Sequence, residues 1–399
     1  MINIHFYGLC CDQTIFDKYL SMNNNPYSVA HRAFEGAIIE ELSKDNRFKI
    51  VHKYIWQGKS QKKILHGKQK LKNNVFSSYL GFINLPVLKF FTIFVSCMFN
   101  NLTWYLKNRK MKKIIISSIN YGPVAAANFV FNKLFRVKNI IILTDTSISN
   151  AYDKLTNKGL KKIIINPYVK IIEFFERNYD GYIFLSKFMN EQINTMKKPW
   201  CLVEGIYNPE NMQFVQSEKK NAIMHAGTIN KNLGLDKLIQ AFKKINIPDL
   251  ELWIFGSGNY VDEMINEIKS DERICYFGFQ PREQILNKEA QASLLINTRD
   301  PKDEYTRYSF PSKTMEYMAS GTPFMTTKLD CYPSEYYEYM ILIEDYSIDS
   351  IVSKINDFFS KNEYERKVFG NKAQSFILEN KTKDKQVNKI KSLILDKMF

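Results

Sequence analysis

Between residues 46 and 144 the chain contains no aspartate and no glutamate, while the same interval holds 18 Lys or Arg. That absence excludes a balanced surface and leaves a positive field that draws polyanions or an anionic membrane face. A surface shaped only for solubility explains a mild, scattered excess of charge. It explains a carboxylate-free interval badly. The imbalance is also one-sided: residues 1–215 carry 30 Lys+Arg against 14 Asp+Glu, and residues 216–399 carry 26 against 27.

Other absences narrow the chemistry. None of the six cysteines (Cys10, Cys11, Cys97, Cys201, Cys275, Cys331) forms a C-x-x-C pair, so neither a zinc site nor a dithiol redox motif is suggested. Scattered thiols fit a reducing compartment. The opening MINIHFYG lacks a basic n-region and an apolar h-region, and it reads as a strand. The expectation is no signal peptide and a cytoplasmic protein. There is no D-x-D motif, which agrees with a metal-free site. No apolar run reaches the roughly 20 residues that span a bilayer. The nearest, residues 83–104, is interrupted by Lys89, Asn100 and Asn101. It reads as a core helix or as a helix partly embedded in a membrane interface. The basic run from Lys107 to Lys113 raises the second option.

What is present is enough apolar material for two domains. The 399 residues are 45% hydrophobic and 14% aromatic. Two β/α series follow one another. The first has strand candidates at residues 2–7, 48–54, 113–118, 139–144 and 181–186, and a helical apolar spacing over residues 28–42. The second begins near Asn221, with NAIMHAG, LELWIF, ICYFGF, ASLLIN and PFMTT as strands and LGLDKLIQAFKKI as an amphipathic helix. Short, largely apolar strands alternating with helices predict parallel, doubly wound sheets. The architecture expected is α/β, with two Rossmann-like domains facing a cleft. The first domain covers residues 1–205, the second 206–379, and a charged helix over 380–399 packs back on the first.

One stretch carries most of the chemistry: YSFPSKTMEYMASGTP, Tyr308–Pro323. Pro311 suits a first helical turn, where its missing N–H has no intrahelical partner. The free N–H groups of Ser312 and Lys313, with the Lys313 ammonium, make a phosphate site. Glu316 lies about one turn further in, where a carboxylate suits vicinal hydroxyls such as those of a ribose. An ordinary amphipathic helix with a Pro start and a Gly stop reads the same way, so the stretch alone does not decide.

The segments AGTINKNLGLDKLIQAF, LWIFGSGNY, YFGFQPREQIL, ASLLINTRDPKDEYTRYSFPSKTMEYMASGTPFMTTKL and YPSEYYEYMILIED occur in this order. In them the chain resembles the retaining GT-B glycosyltransferases, in particular the family-4 group of bacterial surface-polysaccharide biosynthesis (capsule, exopolysaccharide, O-antigen). The resemblance covers nearly all of the second domain. The first domain fits loosely, through GLCCD, SVAHRAFEG and GYIFLSKFMNEQI. It implies that Glu316 is the second of two family glutamates eight residues apart, the one that binds the donor ribose. The first, which touches the donor sugar, is Tyr308 here. The family's diphosphate-gripping Arg and Lys are replaced by Thr228 and Leu233. Lys313, with Arg299 or Arg307 and Lys231, then has to neutralise the diphosphate. Gly227 allows close backbone approach. Tyr276-Phe277-Gly278 resembles the backbone clamp on the base. The resemblance also implies retention through an oxocarbenium-like state, with no protein nucleophile and no cofactor beyond the nucleotide-sugar donor, UDP-sugar favoured.

On the acceptor side, His31 and Arg32 lie early in the first helix near the Gly8 turn. Asn120 and Asp145 follow strand ends, where ligands of such folds bind. A surface or core histidine and a helix-capping aspartate are the rival readings of His31 and Asp145. The charge map suits a polyprenyl-diphosphate-linked glycan at the inner face of the cytoplasmic membrane, met by the basic first domain. The basic interval lacks a nucleic-acid reading motif, so no nucleic-acid partner is expected. A GT-B nucleotide-sugar epimerase and a non-catalytic membrane scaffold are the alternatives. Tyr308 disfavours the first, and Thr228 and Leu233 favour the second.

Overall fold

In the computed structural model the described residues are 1–11, 29–55, 63–64, 68–70, 75–144, 161–209 and 218–399. The chain divides into two compact units, one formed by Met1–Ile206 with Lys383–Phe399 and the other by Tyr207–Thr382.

The first unit is built on strands β1 (Ile2–Gly8), β2 (Phe48–Tyr54), β3 (Lys63–Ile64), β4 (Lys68–Lys70), β5 (Val75–Tyr79), β6 (Phe82–Ile83), β7 (Lys112–Ser117), β8 (Lys138–Leu143), β9 (Gly181–Phe184) and β10 (Trp200–Leu202). The main sheet runs β10-β9-β8-β7-β1-β2-β5-β4, and β3 pairs with β6 apart from it. All pairings in the main sheet are parallel except β4 with β5. The strands read as nearly unbroken apolar runs because both faces are covered.

Alternation along each strand decides which face a side chain serves. Ile4, Ile50, Ile114, Ile116 and Ile140 meet helix α1 (Val29–Ser43) and the C-terminal helix Lys383–Lys397. Tyr7 and Ile115 point the other way, onto α2 (Leu88–Lys107) and α3 (Gly122–Phe135). The remaining helices of this unit are α4 (Lys161–Glu176) and α5 (Lys187–Ile193). The C-terminal helix is held by apolar packing of Val387, Ile390, Leu393 and Ile394. Lys383 also pairs with Glu40 at 3.0 Å.

The second unit contains β11 (Lys220–Thr228), α6 (Leu235–Lys243), β12 (Glu251–Ser257), α7 (Val261–Ile268), β13 (Ile274–Tyr276), α8 (Arg282–Gln291), β14 (Ala292–Asn297), α9 (Lys313–Ala319), β15 (Phe324–Thr327), β16 (Ile341–Ile343), α10 (Ile348–Ser360) and α11 (Glu363–Asn380). The C-terminal helix Lys383–Lys397 is therefore α12. The sheet of this unit is parallel throughout, in the order β13-β12-β11-β14-β15-β16. Counted from β11 that order is 3-2-1-4-5-6, the dinucleotide-fold arrangement, with its reversal between β11 and β14. The chain is thus α/β with two Rossmann-like, parallel-sheet units.

Candidate active site

In open parallel sheets ligands sit beyond the carboxyl ends of the strands, where the strand order reverses. In the second unit that place is bounded by Gly227 at the end of β11 and Arg299 just after β14. A side chain built onto Gly227 would meet no atom within 4 Å, so the strand end is open to a ligand. Its neighbour across the sheet is different. Gly256 has φ +133°, and a Cβ there would lie 1.8 Å from the Gly227 carbonyl oxygen. Only glycine fits that approach. The end of β11 is pinned from α9: the Tyr317 hydroxyl accepts from Ala226 N at 2.8 Å and donates to Ala226 O at 3.0 Å.

Helix α9 begins at Lys313, with Ser312 exposed as its cap residue and the Thr314 N–H bonded to Pro311 O at 3.0 Å. Lys313 and Glu316 are not separate tools. The Lys313 ammonium is bonded to the Glu316 carboxylate one turn on, and it lies 3.5 Å from Glu289 of α8. The other Glu316 oxygen accepts from Arg282 at 3.2 Å. Glu289 is fully buried. Burial, and then the charge of Glu316, push the Glu289 carboxyl well above its usual range. Burial opposes charge on Lys313 as well, but Glu289 and Glu316 outweigh it and hold the ammonium charged. On Glu316 burial is outweighed by Lys313, and the carboxylate stays ionised.

Among the other cations singled out in the sequence, Lys231 pairs with Glu263 at 2.5 Å and Arg307 with Asp330 at 3.0 Å. Arg299 forms no ion pair among the described residues. Its charge and that of Lys313 both act on the buried His225 of β11. Burial first, and these cations next, lower the His225 imidazole to about 4, so it is neutral. Arg299 and Lys313 are therefore the two cations whose charge reaches this neutral, buried imidazole of β11. Thr228 is exposed, Tyr308 is buried beside the start of α9, and Gly278 has φ +70° with nothing near its missing Cβ. Phe277 stacks on Phe255 at 4.7 Å, and with Gln280, Gln284, Asn287 and Lys288 these rings line a pocket of about 350 Å³. Arg282, Glu289, His225 and Tyr317 were not anticipated as site residues. Arg282 lies within the YFGFQPREQIL motif, but nothing in a single sequence marks a carboxyl as buried.

Glu289 supplies a pH test. Its folded value lies above the ordinary 4.5, so above that pH the folded chain holds a proton the unfolded chain has released. Stability is therefore lost as pH rises from about 4.5, by at most about 1.4 kcal/mol per pH unit. Glu289→Gln keeps the shape of the protonated acid and should flatten that fall. Urea denaturation of both proteins at pH 5 and pH 8 measures it, and identical pH slopes would refute the assignment.

In the first unit the corresponding reversal lies between β1 and β7, and the chain fills it itself. Glu35 of α1 is fully buried, and its carboxylate accepts from Leu9 N at 2.9 Å, Cys10 N at 3.0 Å and the Ser118 hydroxyl at 2.9 Å. The His31 and His52 imidazoles each lie 3.5 Å away. Burial raises a carboxyl, but here hydrogen bonds from His31 and His52 win and hold Glu35 far below its ordinary range. The space above Gly8 belongs to Glu35, because a Cβ there would be 1.6 Å from Oε1. An internal carboxylate thus occupies the position of a bound anion. His31 also meets the Thr144 hydroxyl at 3.3 Å, Arg32 donates to Cys11 O at 3.0 Å, and Asn120 is bonded to Glu176. Asp145 lies outside the described residues. Glu35, His52 and Ser118 were not anticipated either.

Residues 208–376 match the family described as Glycosyl transferases group 1. No curated protein matches the chain. Among solved structures, the lipopolysaccharide outer core galactosyltransferase WaaB superposes with a TM-score of 0.64 at 14% identity, covering 99% of this chain and 100% of that one. HepE of Anabaena in complex with UDP gives 0.63 at 12%, covering 98% and 99%. An E. coli structure described as trehalose-6-phosphate, bound with UDP-2-fluoro glucose, gives 0.65 at 10%, covering 98% and 99%. The fold is GT-B. A glycosyl-transferase group 1 segment within it indicates a glycosyltransferase.

Proposed function

We propose that the protein moves a sugar from a nucleotide sugar, with UDP-sugar favoured, to a membrane-associated, polyprenyl-diphosphate-linked glycan of bacterial surface-polysaccharide biosynthesis. The carrying observations are open Gly227 at the end of β11, Arg299, which forms no ion pair among the described residues, and the Lys313–Glu316 couple. The diphosphate rests against Arg299, Lys313 and the backbone at Gly227 and Thr228. The ribose hydroxyls replace Lys313 as partners of Glu316, which releases the ammonium to the diphosphate. Leaving-group charge is then met by fixed cations and N–H groups, which supports transfer without a metal. Retention is what the resemblance implies, and with no carboxylate at Tyr308 it would proceed by same-face attack with no enzyme-bound sugar. His31, Arg32 and Asn120 are the acceptor-side residues in this reading, with Asp145, the residue after the Thr144 that meets His31.

HepE in complex with UDP and a structure carrying UDP-2-fluoro glucose share the fold, and they favour uridine as the base. No described helix is long and apolar enough to cross a membrane. In this reading the enzyme works at the inner face of the cytoplasmic membrane as a peripheral protein, held by its basic first unit.

A nucleoside-diphosphate panel tests the donor assignment. UDP at a hundredfold excess over Kd should stabilise the protein by about 2.7 kcal/mol, read as a raised unfolding temperature unaffected by EDTA. A scaffold would respond to no nucleotide. Product analysis from membranes fed labelled nucleotide sugars, with the anomeric configuration read by NMR, separates transfer with retention from epimerisation of the free donor.

A further inference from the structure

Helix α2 is apolar on two opposite faces, and only one of them is covered. Ile93, Cys97, Asn101 and Trp104 are buried. On the far side Leu88, Phe91, Val95, Phe99, Leu102 and Leu106 fall within about 40° of one line at 100° per residue. All six are exposed, Phe91 by 65% and Phe99 by 66%, and Val87 before them by 81%. Isolated exposed apolar side chains are ordinary, but a continuous helical stripe of them marks an interaction surface.

The rotation of the helix is fixed from inside. The Asn101 side-chain oxygen is 2.8 Å from His5 Nδ1 and accepts from the Tyr7 hydroxyl at 2.9 Å, while its amide donates to Asn128 at 2.9 Å. The Trp104 indole donates to Asn3 at 2.5 Å. Turning the stripe inward would leave these buried groups unpaired. The exposed stripe is therefore the arrangement that the sequence specifies.

Charge identifies the occupant. The last turn, the following loop and the first residue of β7 carry exposed Lys107, Arg109, Lys110 and Lys112, and no Asp or Glu occurs from residue 46 to 144. None of these four forms an ion pair among the described residues. A second copy of the chain would set this cationic rim against itself. A bilayer with anionic headgroups accepts the apolar stripe among its acyl chains and the rim at its phosphates. We propose that α2 lies in the plane of an anionic membrane with Phe91, Val95 and Phe99 in the acyl region. The inference rests on the proposed membrane-bound acceptor and says which element reaches that membrane.

Vesicle co-sedimentation of the full chain, with no donor or acceptor present, tests it. Phosphatidylcholine vesicles containing phosphatidylglycerol should bind the protein, and phosphatidylcholine alone should bind it weakly. Raised salt should weaken binding without abolishing it. The double variant Phe91→Ser, Phe99→Ser should lose at least about tenfold in partitioning, with its unfolding temperature unchanged. A second variant, Arg109→Ser with Lys110→Ser, should lose the preference for the anionic lipid. Equal binding of the Phe variant would overturn the proposal. So would a wild-type dimer that the Phe variant dissolves without any vesicle binding. Vesicle binding without turnover would leave this inference standing and count against the transferase reading.

Discussion

Glu316→Gln should lower kcat/KM for the nucleotide sugar by about 10–10², the cost of hydrogen bonds from the ribose hydroxyls to a charged acceptor. The loss should come without unfolding. After burial, the charge of Glu316 is the largest force that raises the Glu289 carboxyl. With Glu316 neutralised, Glu289 loses its proton more readily and takes over Lys313, which is 3.5 Å away. The buried ammonium keeps a counter-charge, so the penalty of a stranded buried charge is avoided. What vanishes is the acceptor for the ribose hydroxyls and the link to Arg282. Lys313→Met should reach a similar loss from the diphosphate side. The double variant should lose far less than the product of the two single effects, because the residues act as one unit. Steady-state kinetics on membranes, with UDP affinity by calorimetry, decide the matter. Unchanged turnover in either single variant would refute the donor site.

The couple itself was hidden from sequence reading in an instructive way. Lys313 and Glu316 were expected as independent contacts, one for phosphate and one for ribose, because a motif lists residues and not their partners. Their spacing of three is local, and it was legible as one face of a helix. Glu289 and Arg282 reach them from α8, more than twenty residues earlier. No periodicity reports that approach. Apolar runs mark most of the strands to within two residues, as where 113–118 is expected and Lys112–Ser117 is found, but ICYFGF runs three residues past the end of β13, and β5, β10 and β16 have no counterpart among the expected strands. The sequence leaves residues 83–104 open between a core helix and an interfacial one. Each reading described one of its two faces, and composition cannot say that both are apolar and only one covered. Asn101, which looked like an interruption of the run, is its buried anchor.

The first unit should prove most sensitive at Gly8. Gly8→Ala drives a methyl into the Glu35 carboxylate, and either β1 or Glu35 must move. If Glu35 moves, the Leu9 and Cys10 N–H groups and the Ser118 hydroxyl lose their acceptor together. Stranding groups of a buried charged network costs about 3–5 kcal/mol. Glu35→Gln keeps the volume but offers a single acceptor oxygen and turns two donor hydrogens toward donors, so a comparable loss is expected. The pH dependence tells charge from crowding. Glu35 is held far below its ordinary 4.5, so its stabilisation is fully present above that value. It is lost as pH falls below 4.5 toward the folded value, which lies far lower. The gap between wild type and Glu35→Gln should therefore narrow as pH drops below about 4.5, whereas the steric gap of Gly8→Ala should persist. Urea titrations across that range measure both. A Glu35→Gln gap that stays constant with pH would mean that shape, and not the buried negative charge, holds the β1 turn, and the reading of Glu35 as an internal anion would fail.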